Sequence, residues 1–266
     1  MKTYLFSVGG FLIPGYGLMI GIGFLIALAV GIFRAKSMKM NDEAVLDLAI
    51  IAILSGFLGA KILYVITEFS AFLEDPLSVI GSAGFVVYGG IISGVLCCMI
   101  YCKVKKLDFL EYFDLVMPEV AIAQGFGRIG CFLAGCCYGR ETSSPIGVIF
   151  PEGSMAPAGV KLIPTQLFSA AGDILIAVIL MVIAYKFSYS AAASRGMASG
   201  AGDRKHLLKG DIGCIYMLLY GIGRFVIEFF RDDERGAVGF LSTSQFISFF
   251  IVAFGVTLFV YNRKKK

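Results

Sequence analysis

Residues 45–67 read VLDLAIIAILSGFLGAKILYVIT, and that run holds only two charges, Asp47 and Lys61. A helix rises about 1.5 Å per residue, so a run of this length crosses the roughly 30 Å hydrocarbon core of a bilayer. Working outward from it, six further apolar runs appear at 16–34, 86–102, 114–135, 166–186, 211–230 and 243–261. The run at 114–135 is the least apolar of the seven. The whole chain is 58% hydrophobic and 16% charged, with a mean hydropathy of +0.85. Soluble domains carry about 25% charged residues, so this chain lacks the polar surface a water-soluble fold needs. The expectation is an all-α integral membrane protein with seven transmembrane helices, residues 1–266 forming a single transmembrane domain.

Between these runs the composition changes. Segment 134–165 is rich in Gly, Pro and Cys and too irregular for a helix. Segment 188–210 is small, polar and Gly/Ser-rich, and reads as a flexible cytoplasmic loop. No internal repeat is found, and no cleavable leader is expected from the first residues. Trp is absent, so Tyr and Lys/Arg must anchor the helix ends.

Lys and Arg orient the bundle. Alternate connections hold Arg34, Lys36 and Lys39, then Lys103, Lys105 and Lys106, then five around 186–209, then Arg263 to Lys266. That is fifteen, against five (Lys2, Arg140, Lys161, Arg231, Arg235) in the opposite connections. By the positive-inside rule the N-terminus lies outside and the C-terminus in the cytoplasm. The net charge of +4 therefore concerns topology and gives no reason to expect nucleic acid.

Ionisable side chains inside spans are costly and usually face the bundle interior. In this orientation Arg128, Arg224, Glu228, Arg231 and Lys61 all fall in the outer half of the membrane. Gln124, Arg128, Cys131 and Gly135 share one helix face. Arg224 and Glu228, four apart, are spaced to pair. Tyr16, Tyr88, Thr165, Gln166, Ser244 and Gln245 begin inward-running spans at the same level. Singly, each has an ordinary explanation as an interface anchor or a structural pair. Together they describe an outward-opening polar cavity. Guanidinium groups bind phosphate through paired, charge-assisted hydrogen bonds, so an anionic phospholipid of the outer leaflet is the expected ligand.

Seven cysteines (97, 98, 102, 131, 136, 137 and 214) lie mostly in apolar runs and read as small buried hydrophobes. The only His, His206, lies in a polar loop, so neither a metal site nor any cofactor is expected.

Residues 127–139, GRIGCFLAGCCYG, resemble the signature of bacterial prolipoprotein diacylglyceryl transferases. The resemblance continues in chain order through Tyr16-Gly17-Leu18-Met19, Tyr88-Gly89-Gly90-Ile91-Ile92-Ser93-Gly94 and Pro164-Thr165-Gln166-Leu167. It closes with residues 220–231, YGIGRFVIEFFR, and with Ser244-Gln245. It implies a seven-span enzyme of the bacterial cytoplasmic (inner) membrane, with its active site facing the outer leaflet. That enzyme would move the diacylglyceryl group of phosphatidylglycerol onto the lipobox cysteine of a preprolipoprotein signal peptide, without metal. It further implies phosphatidylglycerol contact at Arg128, essential roles at Arg224 and Glu228, and substrate contacts at Tyr16, Gly139, Gln166, Arg231 and Lys61. The chain departs from the usual pattern at Tyr88 (His), Cys131 (Asn), Cys136 (Glu), Lys61 (Arg) and Phe168-Ser169 (Tyr-Glu).

The substrate thiol reacts as thiolate, so a base helps. Tyr88 leads as that base, with neighbouring arginines favouring phenolate. Glu228 is the other candidate, better suited to orienting Arg224. Cys136 or Cys137 as a covalent nucleophile is a minor alternative. Two other classes fit the same residues: a non-catalytic lipid- or lipoprotein-binding relative, and an anionic-lipid transporter.

Overall fold

The computed structural model describes residues 4–8, 11–186, 207–233 and 237–264. Two short strands, β1 (Tyr4–Val8) and β2 (Phe11–Pro14), pair antiparallel and lead into α1 (Gly15–Ser37). The order continues α2 (Glu43–Thr67), α3 (Phe69–Glu74), α4 (Pro76–Gly81), α5 (Val87–Val104) and α6 (Phe109–Ala134). Then come the hairpin β3 (Val148–Ile149) and β4 (Lys161–Leu162), α7 (Thr165–Lys186) and α8 (Asp211–Glu228). A last hairpin, β5 (Ala237–Val238) and β6 (Leu241–Ser242), feeds α9 (Thr243–Lys264).

All seven apolar runs form helices, with ends shifted by a few residues. The largest shift is at α6, which starts five residues before the apolar run. Asp108 caps that start, its Oδ1 accepting the Leu110 N–H at 3.0 Å. Among the described residues, five helices (α1, α2, α5, α7 and α9) are long and apolar enough to cross a membrane. α6 and α8 fall short because of their charges: Glu111, Asp114, Glu119 and Arg128 on one, and Asp211, Arg224 and Glu228 on the other. The flexible-loop expectation for 188–210 falls largely outside the described residues, as does His206.

The chain packs as two units, 1–31 with 113–266 and 32–112, the divisions falling within α1 and α6. In the second unit α2 packs along α5 through small residues. A Cβ on Gly90 would sit 2.7 Å from the Gly56 carbonyl oxygen, and a Cβ on Gly89 would collide with that of Gly59. Ser93 Oγ donates across the same seam to the Ser55 carbonyl at 2.7 Å. This is how membrane helices gain close backbone approach when apolar burial gives no driving force between them.

In the larger unit α8 packs on α7 and α9. Buried Asp114 of α6 accepts the N–H groups of Gly210 (2.6 Å) and Gly213 (2.8 Å), satisfying orphan donors at the α8 N-terminus. Asp211 in the first turn of α8 pairs with Arg263 near the end of α9 at 3.0 Å. These contacts fix the register of α8 and therefore where its other end delivers Arg224, Glu228 and Arg231. Segment 135–164 is ordered around its own apolar cluster of Phe150, Ala156 and Leu162, backed by Phe132 and Tyr138.

Candidate active site

The larger unit gathers the C-terminal ends of α6 and α8 with the N-terminal ends of α1, α7 and α9. A Cβ on Gly130 would lie 3.1 Å from the Tyr16 carbonyl oxygen, so α1 starts directly against the signature helix. Gly139 is tighter still. Its Cβ would meet the Phe230 carbonyl oxygen at 2.6 Å and the Thr165 Cγ2 at 2.7 Å. The backbone around it is stitched on both sides: Gly139 N–H donates to Ile163 O (2.9 Å) and Arg140 N–H to Phe230 O (3.0 Å). A three-way junction of loop, α7 and α8 thus closes on one glycine.

The start of α7 anchors the signature loop. Gln166 Nε2 donates to the Cys136 carbonyl at 2.7 Å, and Thr165 Oγ1 to the Cys137 carbonyl at 2.8 Å. Gln166 is 1% exposed, and its Oε1 is buried without a hydrogen-bond partner among the described residues. Gln245, at the start of α9, accepts the Ser242 N–H at 3.2 Å and ties the end of β6 to the first turn of α9.

Arg224 pairs with Glu228 through Nη1–Oε2 at 2.8 Å and donates from Nη2 to Ser244 Oγ at 2.7 Å. The pair forms because residues four apart stack on one helix face, and both side chains are nearly enclosed. Arg231 makes a two-pronged pair with Asp233, Nε–Oδ1 and Nη2–Oδ2 both at 3.0 Å. Burial raises the Asp233 carboxyl against the pull of Arg231. Arg128, on the inner face of α6, acts electrostatically on Arg224, on Asp173 and on Tyr220. Among the described residues its guanidinium makes no hydrogen bond, so its donors are available to a ligand. Three guanidiniums, Arg128, Arg224 and Arg231, therefore share one end of the unit.

A cavity of about 380 Å³ opens beside Arg231, lined also by Arg140, Glu228, Asp233, Phe240 and Gln245 among others, while Arg128 and Arg224 do not line it. Tyr16 is 45% exposed and lies close enough to Arg128 and to the thiols of Cys131, Cys136 and Cys137 to feel their charge. Cys131, Cys136 and Cys137 come together, their Sγ atoms all within 4.8 Å of one another. Cys136 Sγ donates to the Cys131 carbonyl at 3.7 Å, and Arg231 and Arg128 act electrostatically on Cys137.

Of the residues singled out in the sequence, Tyr16, Arg128, Gly139, Gln166, Arg224, Glu228 and Arg231 belong to this unit. Tyr88 and Lys61 belong to the other. Tyr88 opens α5 and is 40% exposed. Lys61 Nζ donates to Ser82 O (2.8 Å) and Gly84 O (3.2 Å) and lies 5.0 Å from the Tyr64 and Phe85 ring centroids.

Sequence reasoning passed over Asp173, Asp233 and the thiol cluster. Asp173 carried a usable signal, as an acid midway along the apolar run of α7. Asp233 carried none, since an acid in a polar turn is ordinary.

A sequence model of the prolipoprotein diacylglyceryl transferase family matches residues 3–261. The chain belongs to this family. It is 42% identical over 268 residues to a phosphatidylglycerol–prolipoprotein diacylglyceryl transferase of Clostridium tetani, covering 100% of both chains. It is 43% identical over 267 residues to transferase 2 of that name in Clostridium perfringens, covering 100% of this chain and 97% of that one. A Finegoldia magna transferase of the same name is 33% identical over 267 residues, with 100% and 97% covered. The match runs end to end, so the family's sequence signature and the junction around Gly139 belong to the same molecule.

Proposed function

We propose that this chain is a phosphatidylglycerol–prolipoprotein diacylglyceryl transferase acting on the lipobox cysteine of a preprolipoprotein. The convergence of Arg128, Arg224 and Arg231 at one end of the larger unit carries this reading. Full-length relatives named for the same substrates support it.

In the proposed reaction the substrate thiolate attacks the glyceryl carbon esterified to phosphate. A C–S bond forms, the C–O bond breaks, and glycerol phosphate leaves with the electron pair. Arg128 binds the phosphate and offsets the charge that grows on the leaving oxygen. Arg224 adds to that field, and Glu228 and Ser244 fix its orientation. Tyr16, Gly139, Gln166 and Arg231 are the proposed substrate-contacting set; Lys61, already bonded to the Ser82 and Gly84 carbonyls, is left out of it. The proposed topology has seven spans, with α6 and α8 shielded by their neighbours, the N-terminus outside and the C-terminus in the cytoplasm. The charge bias of the connections supports it. The site then faces the outer leaflet of the bacterial inner membrane.

Purified chain, phosphatidylglycerol and a lipobox peptide should give a peptide heavier by one diacylglyceryl group, and a peptide with Ser in place of the lipobox Cys should stay unmodified. No mass gain on the Cys peptide overturns the reading. Tyr88 is the proposed acceptor of the thiol proton. A phenol acting as base makes the rate climb with pH up to its pKa, and Tyr88→Phe should remove that limb. An unchanged pH profile removes Tyr88 from the role.

A further inference from the structure

The transfer chemistry leaves three thiols without a task. Cys131 lies in the last turn of α6, and Cys136 and Cys137 follow on the loop. In a continuing helix, residues five apart point about 140° away from each other. Here the chain leaves the helix at Gly135 (φ 75°) and turns again at Cys137 (φ 64°), a left-handed conformation that residues with a side chain rarely adopt. The turn brings the Cys136 N–H to the Cys131 carbonyl at 3.2 Å. Thr165 and Gln166 then pin the Cys137 and Cys136 carbonyls from α7. The backbone is held on both sides in a shape that brings three sulfurs close together.

We propose that Cys131, Cys136 and Cys137 form a three-thiolate binding site for a soft d10 cation, with Zn²⁺ as the representative ion. The Sγ atoms lie within 4.8 Å of one another. Zinc–sulfur bonds of about 2.3 Å place three ligating sulfurs roughly 3.8–4.0 Å apart, so closing the site takes movements of under about 1 Å. An all-sulfur donor set selects soft cations over Mg²⁺ or Ca²⁺. Each thiol that binds gives its proton to solvent, and three thiolates around a dication leave one negative charge. Arg128 and Arg231, which act electrostatically on Cys137, supply the opposite sign. Three protein ligands leave a fourth coordination position for water or another donor.

The test uses the full chain, purified in detergent and reduced with a phosphine, with Cd²⁺ as probe and Zn²⁺ as competitor. One equivalent of Cd²⁺ should give a sulfur-to-metal charge-transfer band of three-thiolate intensity, displaced by Zn²⁺. Loss of an outer-shell partner costs a metal site about 10–100-fold in affinity, so Cys131→Ser, Cys136→Ser and Cys137→Ser should each cost more than about 100-fold. Cys97→Ser, in α5, should change nothing. A wild-type band showing fewer than three thiolates, or none, overturns the proposal whether or not the variants fold. So does a full-strength band in Cys131→Ser or Cys137→Ser. The readout is metal binding, so its failure leaves the proposed transfer activity standing.

Discussion

Arg224 and Lys61 are both cations inside apolar helices, yet the two units treat them differently. Arg224 meets an acid and a hydroxyl, Glu228 and Ser244, and shares its surroundings with Arg128 and Arg231. Lys61 meets backbone carbonyls, Ser82 and Gly84, and two aromatic rings. A lone cation surrounded by carbonyls and ring faces is satisfied where it stands, and it ties the end of α2 to the 82–84 turn. Several guanidiniums gathered together repel one another. Such a cluster is stable only with counter-ions, whether Glu228, Asp173 and Asp233 or an incoming phosphate. A charge in a membrane helix is therefore an ambiguous sign of function, and its partners resolve it.

Removing the least-tied guanidinium should have the largest effect. Arg128→Ala should lower transfer by about 100- to 1000-fold, the range for losing one preorganised charge-stabilising donor, with little change in thermal stability. Near-normal transfer by well-folded Arg128→Ala would erase the contrast between the two units. The Arg224–Glu228 pair should behave differently. Arg224→Ala strands a buried carboxylate and should cost about 3–5 kcal/mol of stability, while Arg224→Met with Glu228→Leu should recover most of that. Activity should stay low in both. Thermal unfolding with a parallel transfer assay checks it, and recovery of activity in the double variant would make the pair merely structural. Gly139→Ala should come next. The added methyl meets Phe230 O at 2.6 Å, and such overpacking costs about 1–3 kcal/mol while prising the signature loop from α8. Wild-type melting temperature and rate in that variant would show the junction to be slack.

Much of this was legible in the residues. Seven helices follow from seven apolar runs, because a bilayer leaves a single span few alternatives to a helix. The Arg224–Glu228 pair follows from a spacing of four. What the sequence hid depends on turns. Two left-handed residues, at 135 and 137, bring three cysteines together where periodicity places them apart. Arg231 is placed in the outer-half cluster by sequence, but its partner Asp233 appears only once the chain turns back beside it. The order within 135–164 comes from Phe150 and Leu162 meeting across a hairpin, contacts too irregular in spacing to register as a period.

The smallest effect is expected where the comparison began, at Lys61. Lys61→Met keeps the length and the apolar stem but leaves the Ser82 and Gly84 carbonyls without their shared donor. Each unsatisfied carbonyl costs about 1–3 kcal/mol when buried and less where water reaches it, and this site is only partly buried. The loss should therefore sit near the low end of that range. The Km for phosphatidylglycerol should stay near the wild-type value, since the ammonium is already occupied within its own unit. A raised Km with an unchanged melting temperature would instead place Lys61 on the lipid, and the contrast between a satisfied cation and a working one would then have to be drawn elsewhere.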